Sequence, residues 1–367
     1  MINGGKMRIV TLKLISGIFL LCLFIVPAMA DTADDFMFKE LGERAAFLAM
    51  DELEFGYGDT DALVLTNAGR AVVNGEPTNK VLSGIMNVSG LSNGDANLYS
   101  VNRGDWKALW FYFYNKDTGI GLYLVPADRY YTMTKGEIMN LPLEDTFSTA
   151  DLVTGDIYMM IEDTNAGNAT QKALGGEAFS LLSLSNAWAC GAPYDLMTVA
   201  SLHNHLCPGV LGGYVPVKYI EEKLPAEESD SYTAVFTSAS CKLDAFPVLW
   251  DMTPGKQNLA IVSDGFTEDS QSAFMEKYNT SPAGVFVRWN SEENSGDGIV
   301  IASLPSSSPA YEGPSWGTKV YGSAEKVKCL DDLDSLYTTI YEFKIDSNGL
   351  SELKNPENNP YEVIGMI

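Results

Sequence analysis

Histidine and basic residues are scarce in this sequence. Its 367 residues include 2 His, both inside SLHNHLCPGVLGGY at positions 203 and 205. The sequence has 24 Lys and Arg but 48 Asp and Glu, which gives a formal net charge of −24. Such acidity argues against nucleic acid as a partner, because a phosphate backbone is bound mainly by cationic side chains. The charge is that of a solvated, acidic protein surface.

Long apolar runs are absent beyond the first thirty residues, and a membrane-spanning helix needs about 20 such residues. Within those thirty, three basic residues precede the apolar run 14–26, and PAMA ends at Ala30. This pattern predicts a signal peptide over residues 1–30, with an uncleaved anchor as the alternative. Cleavage moves the net charge from −24 to about −27, because three positive charges leave. We expect an extracytoplasmic protein (secreted, periplasmic or on the cell surface) without a membrane span.

Cysteine is also rare, with 5 in the chain, and Cys22 lies in the expected signal peptide. The others are Cys190, Cys207, Cys241 and Cys329. In an oxidising compartment an even number of cysteines favours two disulfides. Because Cys207 closely follows both histidines, we instead expect one Cys190–Cys329 disulfide and two functional thiols.

Three segments of the first half resemble three segments of the second in order and character. The pairs are 61–69 with 232–241, 97–104 with 258–265, and 114–125 with 289–303. Apolar runs bounded by Gly, Asn and Asp predict strands, and helices are expected near 36–55, 208–224, 268–278 and 324–338. The predicted fold is therefore α+β, a duplicated domain with helices packed on mixed and antiparallel sheets. Its expected parts are a first copy over 31–180, a metal-binding copy over 181–310 and a C-terminal extension over 311–367.

The same alignment indicates that only the second copy holds metal ligands. Opposite His203, His205, Cys207 and Cys241 it places Phe38, Glu40, Gly42 and Gly69. Phe and Gly side chains offer no donor atom, and the chain has no other histidine. We therefore interpret the first copy as a degenerate scaffold without metal ligands.

Pro208 sets the local geometry of the histidine-rich stretch. Proline favours the first position of a helix, which places Cys207 at the N-cap, where the helix dipole lowers a thiol pKa. On a helix His203 and Cys207 share a face, whereas an extended segment also lets His205 converge. Imidazole beside thiolate is typical of a zinc site, with iron or another transition metal as alternatives.

These residues resemble the E-subunit domain family of formylmethanofuran dehydrogenase. The segments LHNHLCPGVLGGYVPVKYIEEKL and SASCKLDAFPVLWDMTPGKQNLAI follow its order of H-x-H-x-C-P-G, C-x-x-D-A and T-x-G-K-x-N-L. The matching positions are His203, His205, Cys207, Pro208, Gly209, Cys241, Asp244, Ala245, Thr253, Gly255, Lys256, Asn258 and Leu259. The resemblance implies an α+β domain, a zinc-type metal held by His and Cys, and a homodimer.

Departures from the family pattern limit what the resemblance implies. Met252 stands where the family often has cysteine, and Pro247 where it often has glutamine. The C-terminal part has Cys329 alone and so no cysteine-rich zinc ribbon. Export also separates the protein from a cytoplasmic enzyme complex. We therefore carry over the fold and the metal site, but not that reaction.

The first functional hypothesis is an exported zinc-type metal-binding protein, with enzymatic activity left open. Cys207 and Cys241 are expected as thiolate ligands, with His203 or His205 completing the set. Asp244 and Cys207 are the candidate catalytic residues if one coordination position stays open. The alternatives are a non-catalytic module that captures a small ligand or cofactor between the two halves, and a thiol redox protein that uses Cys207 and Cys241.

Overall fold

The computed structural model describes residues 33–305 and 311–367, so the expected signal peptide lies outside the described residues. The helices are α1 (Ala33–Glu52), α2 (Lys80–Ser89), α3 (Lys135–Asn140), α4 (Ile157–Glu162), α5 (Thr164–Leu174), α6 (Ala178–Ala189), α7 (Tyr194–His203), α8 (Pro208–Lys223), α9 (Ala245–Leu249), α10 (Glu268–Tyr278), α11 (Gly317–Val327), α12 (Ser347–Leu353) and α13 (Pro360–Val363). Among the described residues, no helix combines the length and apolar character needed to cross a membrane.

The described strands form two five-stranded sheets, and β2 pairs with β3 in a separate two-stranded ribbon. The strands are β1 (Ala62–Thr66), β2 (Val72–Val73), β3 (Glu76–Pro77), β4 (Leu98–Ser100), β5 (Phe111–Asn115), β6 (Ile120–Pro126), β7 (Phe147–Thr154), β8 (Asp230–Phe236), β9 (Leu259–Ile261), β10 (Pro282–Asn290), β11 (Ser295–Ser303) and β12 (Tyr337–Asp346). The mixture of helices with mixed and antiparallel strands confirms the α+β class.

The two sheets share one topology. The first has the order β4-β1-β5-β6-β7 and the second the order β9-β8-β10-β11-β12. In each sheet the first pair is parallel and the other pairs are antiparallel. Val64 pairs with residues of β4 and β5, and Ala234 pairs in the same way with β9 and β10. This likeness is what a duplication would produce, although the domain boundaries proposed from the sequence stay a prediction.

Helices and sheets alternate in layers, because side chains of a strand point to opposite faces in turn. One face of the first sheet packs with α1, α2 and α3, and its other face contributes Leu63, Leu65 and Tyr112 to a central core. The second sheet adds Ala234 and Phe286 to the same central core, which also holds α6, α7 and α8. The outer face of the second sheet packs with α10, α12 and α13. The central helices are therefore shared by both sheets.

Several predicted elements differ from the structure. The helix expected near 324–338 overlaps α11 only at its start, because α11 covers Gly317–Val327 and β12 begins at Tyr337. Residues 337–343 read YTTIYEF, and β-branched and aromatic side chains favour a strand. The alignment of Gly42 with Cys207 is also not reproduced in the structure. Gly42 lies inside α1, whereas Cys207 is the N-cap of α8.

The cysteines of the described residues are all free. Cys190 is half-buried near the Tyr158 hydroxyl, at an Sγ–Oη distance of 3.6 Å, and Cys329 is exposed. The Cys190–Cys329 disulfide expected from the sequence is thus not formed in this structure.

Candidate metal centre

Two helix ends bring His203 and Cys207 together. His203 is the last residue of α7, and Asn204 ends that helix in the left-handed conformation at φ 71°, which asparagine tolerates. The short link to α8 is held from α6, where the Ser183 hydroxyl accepts a hydrogen bond from the Leu206 amide at 2.9 Å. Cys207 then caps α8, with Pro208 in the first turn as expected. The chain reverses over three residues, so that both side chains face one site.

Cys241 arrives from the other side, at the start of the 3-10 turn Cys241–Asp244 that follows β8. Its close approach to α8 requires glycine. A Cβ atom on Gly209 would lie 2.8 Å from the Cys241 Cβ, and one on Gly213 would lie 2.0 Å from the Lys242 carbonyl oxygen. Gly209 and Gly213 therefore leave the space in which the turn that carries Cys241 packs against α8.

His203, Cys207 and Cys241 form a cluster that can hold a metal ion. One ligand atom from each lies within 4.8 Å of the others. His203 Nδ1 donates to Asp244 Oδ2 at 2.6 Å, while Nε2 is buried without a hydrogen-bond partner among the described residues. A carboxylate that holds the far nitrogen of a ligating histidine is typical of metal sites. A buried imidazole nitrogen beside two thiols thus suits a borderline-soft cation.

His205 lies beside this cluster and not within it. Its Nδ1 is 2.9 Å from the Asn204 Oδ1, and its ring centroid is 4.4 Å from that of His203 and 4.8 Å from that of Phe179. Burial lowers the pKa of His205 to about 4, and the neighbouring His203 and the positive charges of Arg103 and Lys319 act in the same direction. His205 is therefore uncharged near neutral pH and lies against the cluster.

Burial also decides the state of Cys207. The side chain is 7% exposed, and burial raises the thiol pKa above its usual range, with a further contribution from Cys241. The amides of Val210 and Gly209 at the start of α8 act in the opposite direction but are outweighed. The N-cap position was predicted correctly, whereas the lowered pKa was wrong for the metal-free protein, because desolvation exceeds the effect of the helix terminus.

Two cations that act on His205 were not found from the sequence. Arg103 follows β4 and binds Glu177 at 2.5 Å, and the Lys319 ammonium lies 6.0 Å from the Phe179 ring centroid. Both cations act on His205. They belong to distant parts of the chain and to no motif, so no sequence signal pointed to them.

Comparison with known proteins agrees with this geometry. Residues 202–299 match the family model described as FmdE, Molybdenum formylmethanofuran dehydrogenase operon. These residues form an FmdE-like domain. The match covers about a quarter of the chain and contains His203, His205, Cys207, Cys241 and Asp244. A search of curated proteins finds no match. The matched residues include the ligand cluster, β8, β9, β10 and the start of β11, whereas β12 of the same sheet lies outside the match.

Proposed function

We propose that this chain is an exported protein that binds one zinc-type ion in its FmdE-like domain. The observation that carries the proposal is the convergence of His203, Cys207 and Cys241, with ligand atoms within 4.8 Å. Two thiolates and one imidazole suit zinc better than the hard cations, which prefer oxygen ligands. Iron is the alternative for the same set of donors.

Three protein ligands leave a position for water or substrate, and this number is typical of catalytic zinc sites. Bound zinc would supply Lewis-acid polarisation and a more acidic bound water. The residues of the chain would orient the site: Asp244 holds the Nδ1 proton of His203, which leaves Nε2 as the ligand atom. Asp244 is 47% exposed and so also accessible as a proton acceptor. We include metal-dependent hydrolysis or Lewis-acid catalysis in the proposal on this basis.

Export is supported by the basic and apolar pattern of residues 1–30. An extracytoplasmic location would separate the protein from the cytoplasmic formylmethanofuran dehydrogenase complex. The proposed metal chemistry is therefore independent of an enzyme complex.

A thiol redox protein is the second candidate, because Cys207 and Cys241 are adjacent. A Cβ atom on Gly209 would lie 3.5 Å from the Cys207 Sγ and 3.4 Å from the Cys241 Sγ. In that case oxidation would join the two thiols, and metal would be absent. Counting free thiols in the purified protein, before and after reduction, separates the two candidates.

Metal analysis of the Cys241→Ser variant tests the proposal. We expect about one zinc per chain in the parent protein and a loss of most of it in the variant, because removing one of three protein ligands sharply weakens binding. Cys329→Ser is the matched control, since Cys329 is exposed and outside the cluster. Equal metal content in the Cys241→Ser variant and its parent would refute the site.

A further inference from the structure

A cleft of about 320 Å³ opens beside the turn that carries Cys241. It lies beyond the carboxyl end of β8, because Thr237 and Ser238 of its lining directly follow that strand. Thr237, Ser238 and Lys242 line one side of the cleft, and Phe274 and Met275 of α10 line the other. The cleft contains none of the three clustered ligands. Its volume suits a small molecule.

Lys242 gives the cleft its charge. Its ammonium donates to the Ala283 carbonyl at 3.0 Å and lies 4.7 Å from the Phe236 ring centroid. Within the described part of the chain no carboxylate lies within 4 Å of Lys242, whereas Lys218 and Lys223 each pair with acidic side chains. A half-buried ammonium without a counter-ion is costly, and its three donors exceed the one carbonyl that it meets.

In the first sheet an asparagine side chain bridges the corresponding junction. Asn67 follows β1 as Thr237 follows β8, and its side chain binds the Ala108 carbonyl and the Trp110 amide at 2.8 and 3.0 Å. These bonds tie the end of β1 to the segment that precedes β5. In the second sheet the lysine takes part in the same junction, between the turn after β8 and the start of β10. The two sheets therefore bridge this junction with different side chains, an asparagine in the first and a lysine in the second.

We propose that this cleft binds a small molecule that carries a carboxylate or phosphate group. The oxyanion would pair with Lys242 and receive hydrogen bonds from the hydroxyls of Thr237 and Ser238. An apolar portion would pack against Phe274 and Met275. This ligand site is separate from the metal centre and goes beyond the proposed metal-binding function.

Titration calorimetry of the full chain tests the proposal with two probes, benzoate and inorganic phosphate. Benzoate represents a carboxylate with an apolar body, and phosphate represents an oxyanion alone. The test variant is Lys242→Gln, and Lys172→Gln is the matched control, because it removes the same charge from an exposed position of α5. We expect benzoate to bind, a loss of about tenfold or more in its affinity for Lys242→Gln, as for a charged hydrogen bond, and unchanged affinity for Lys172→Gln.

A second variant, Met275→Trp, keeps the test valid if Lys242→Gln fails to fold. It fills the cleft from an exposed position of α10 and leaves the charge in place. We expect it to weaken benzoate binding by a similar factor. Absence of benzoate binding by the parent protein, unchanged benzoate affinity in Lys242→Gln, equal loss in the Lys172→Gln control, or unchanged benzoate affinity in Met275→Trp would each overturn the proposal. Metal content, measured in parallel, reports separately on the cluster.

Discussion

His203 contacts its surroundings through two nitrogens with different tasks. Nδ1 donates to Asp244, and Nε2 is buried without a hydrogen-bond partner among the described residues. One ring nitrogen of His203 lies within 4.8 Å of both thiol sulfurs. The imidazole is held at the C-terminal end of α7, where the side chain is 13% exposed. The carboxylate therefore fixes both the tautomer and the orientation of the ring. Asp244 would therefore act on a bound metal ion through His203.

Substituting Asp244 by Asn tests this positioning role. We expect metal affinity to fall by about 10- to 100-fold, since outer partners of ligating histidines usually contribute that much. The ligand atoms themselves remain, so the variant should still bind metal at high concentration, unlike Cys241→Ser. Competition with a chromogenic chelator measures the affinity.

The control for this measurement is Asp264→Asn, which removes one exposed carboxylate beyond β9. Its affinity should equal that of the parent. An Asp244→Asn variant with parental affinity would show that the Asp244–His203 hydrogen bond does not position the ligand.

Residue chemistry was predictable from the sequence only where a motif marked it. His203, Cys207, Cys241 and Asp244 were selected from their spacing and resemblance, and the structure brings these four together. The direction of the Cys207 pKa depends on burial, which local sequence does not show. Arg103 and Lys319 act on His205 from remote segments, so only the tertiary fold relates them.

At the scale of elements, the site depends on close packing of α8 against the turn Cys241–Asp244. Gly213 faces the Lys242 carbonyl oxygen, where a Cβ atom would lie only 2.0 Å away. Gly212 is its neighbour in sequence, and the nearest atom to a Cβ there is the Tyr337 hydroxyl at 3.9 Å. Two adjacent glycines in one helix thus differ completely in available space.

This difference predicts opposite outcomes for two alanine substitutions. Gly213→Ala should destabilise the protein by about 1–3 kcal/mol, because backbone must shift to admit the methyl group. It should also lower metal content by displacing Cys241. Gly212→Ala should leave both properties near parental values. Thermal unfolding and elemental analysis measure them, and equal behaviour of the two variants would contradict the packing argument.

Elements with distinct end signals were predictable, and fully buried helices were not. Pro208 marked the start of α8, and α10 covers the predicted residues 268–278. No helix was expected at α6, although it runs from Ala178 to Ala189. Its sequence AFSLLSLSNAWA is buried over nearly its whole length, so it lacks the polar face that reveals an amphipathic helix.

At the scale of the whole molecule, the two sheets depend on one set of central helices. Trp188 at the end of α6 donates to the Ala96 carbonyl beside β4 at 2.8 Å. Asn102 after β4 donates its amide to the Ser201 carbonyl of α7 at 2.9 Å. The helix that ends at His203 is therefore attached to the first sheet as well as to the FmdE-like domain. Topological likeness of the two sheets does not make the halves independent.

Separating the chain near residue 180 should therefore disrupt both halves. A fragment of residues 181–367 keeps His203, Cys207 and Cys241 but exposes the faces of α6 and α7 that pack on the first sheet. We expect this fragment to bind a hydrophobic dye, to unfold without a sharp transition and to hold little metal. Mixing it with residues 33–180 should restore metal to about one ion per chain, as in the full-length control. If the isolated fragment unfolds cooperatively and retains stoichiometric metal, the shared central core is not needed to assemble the site.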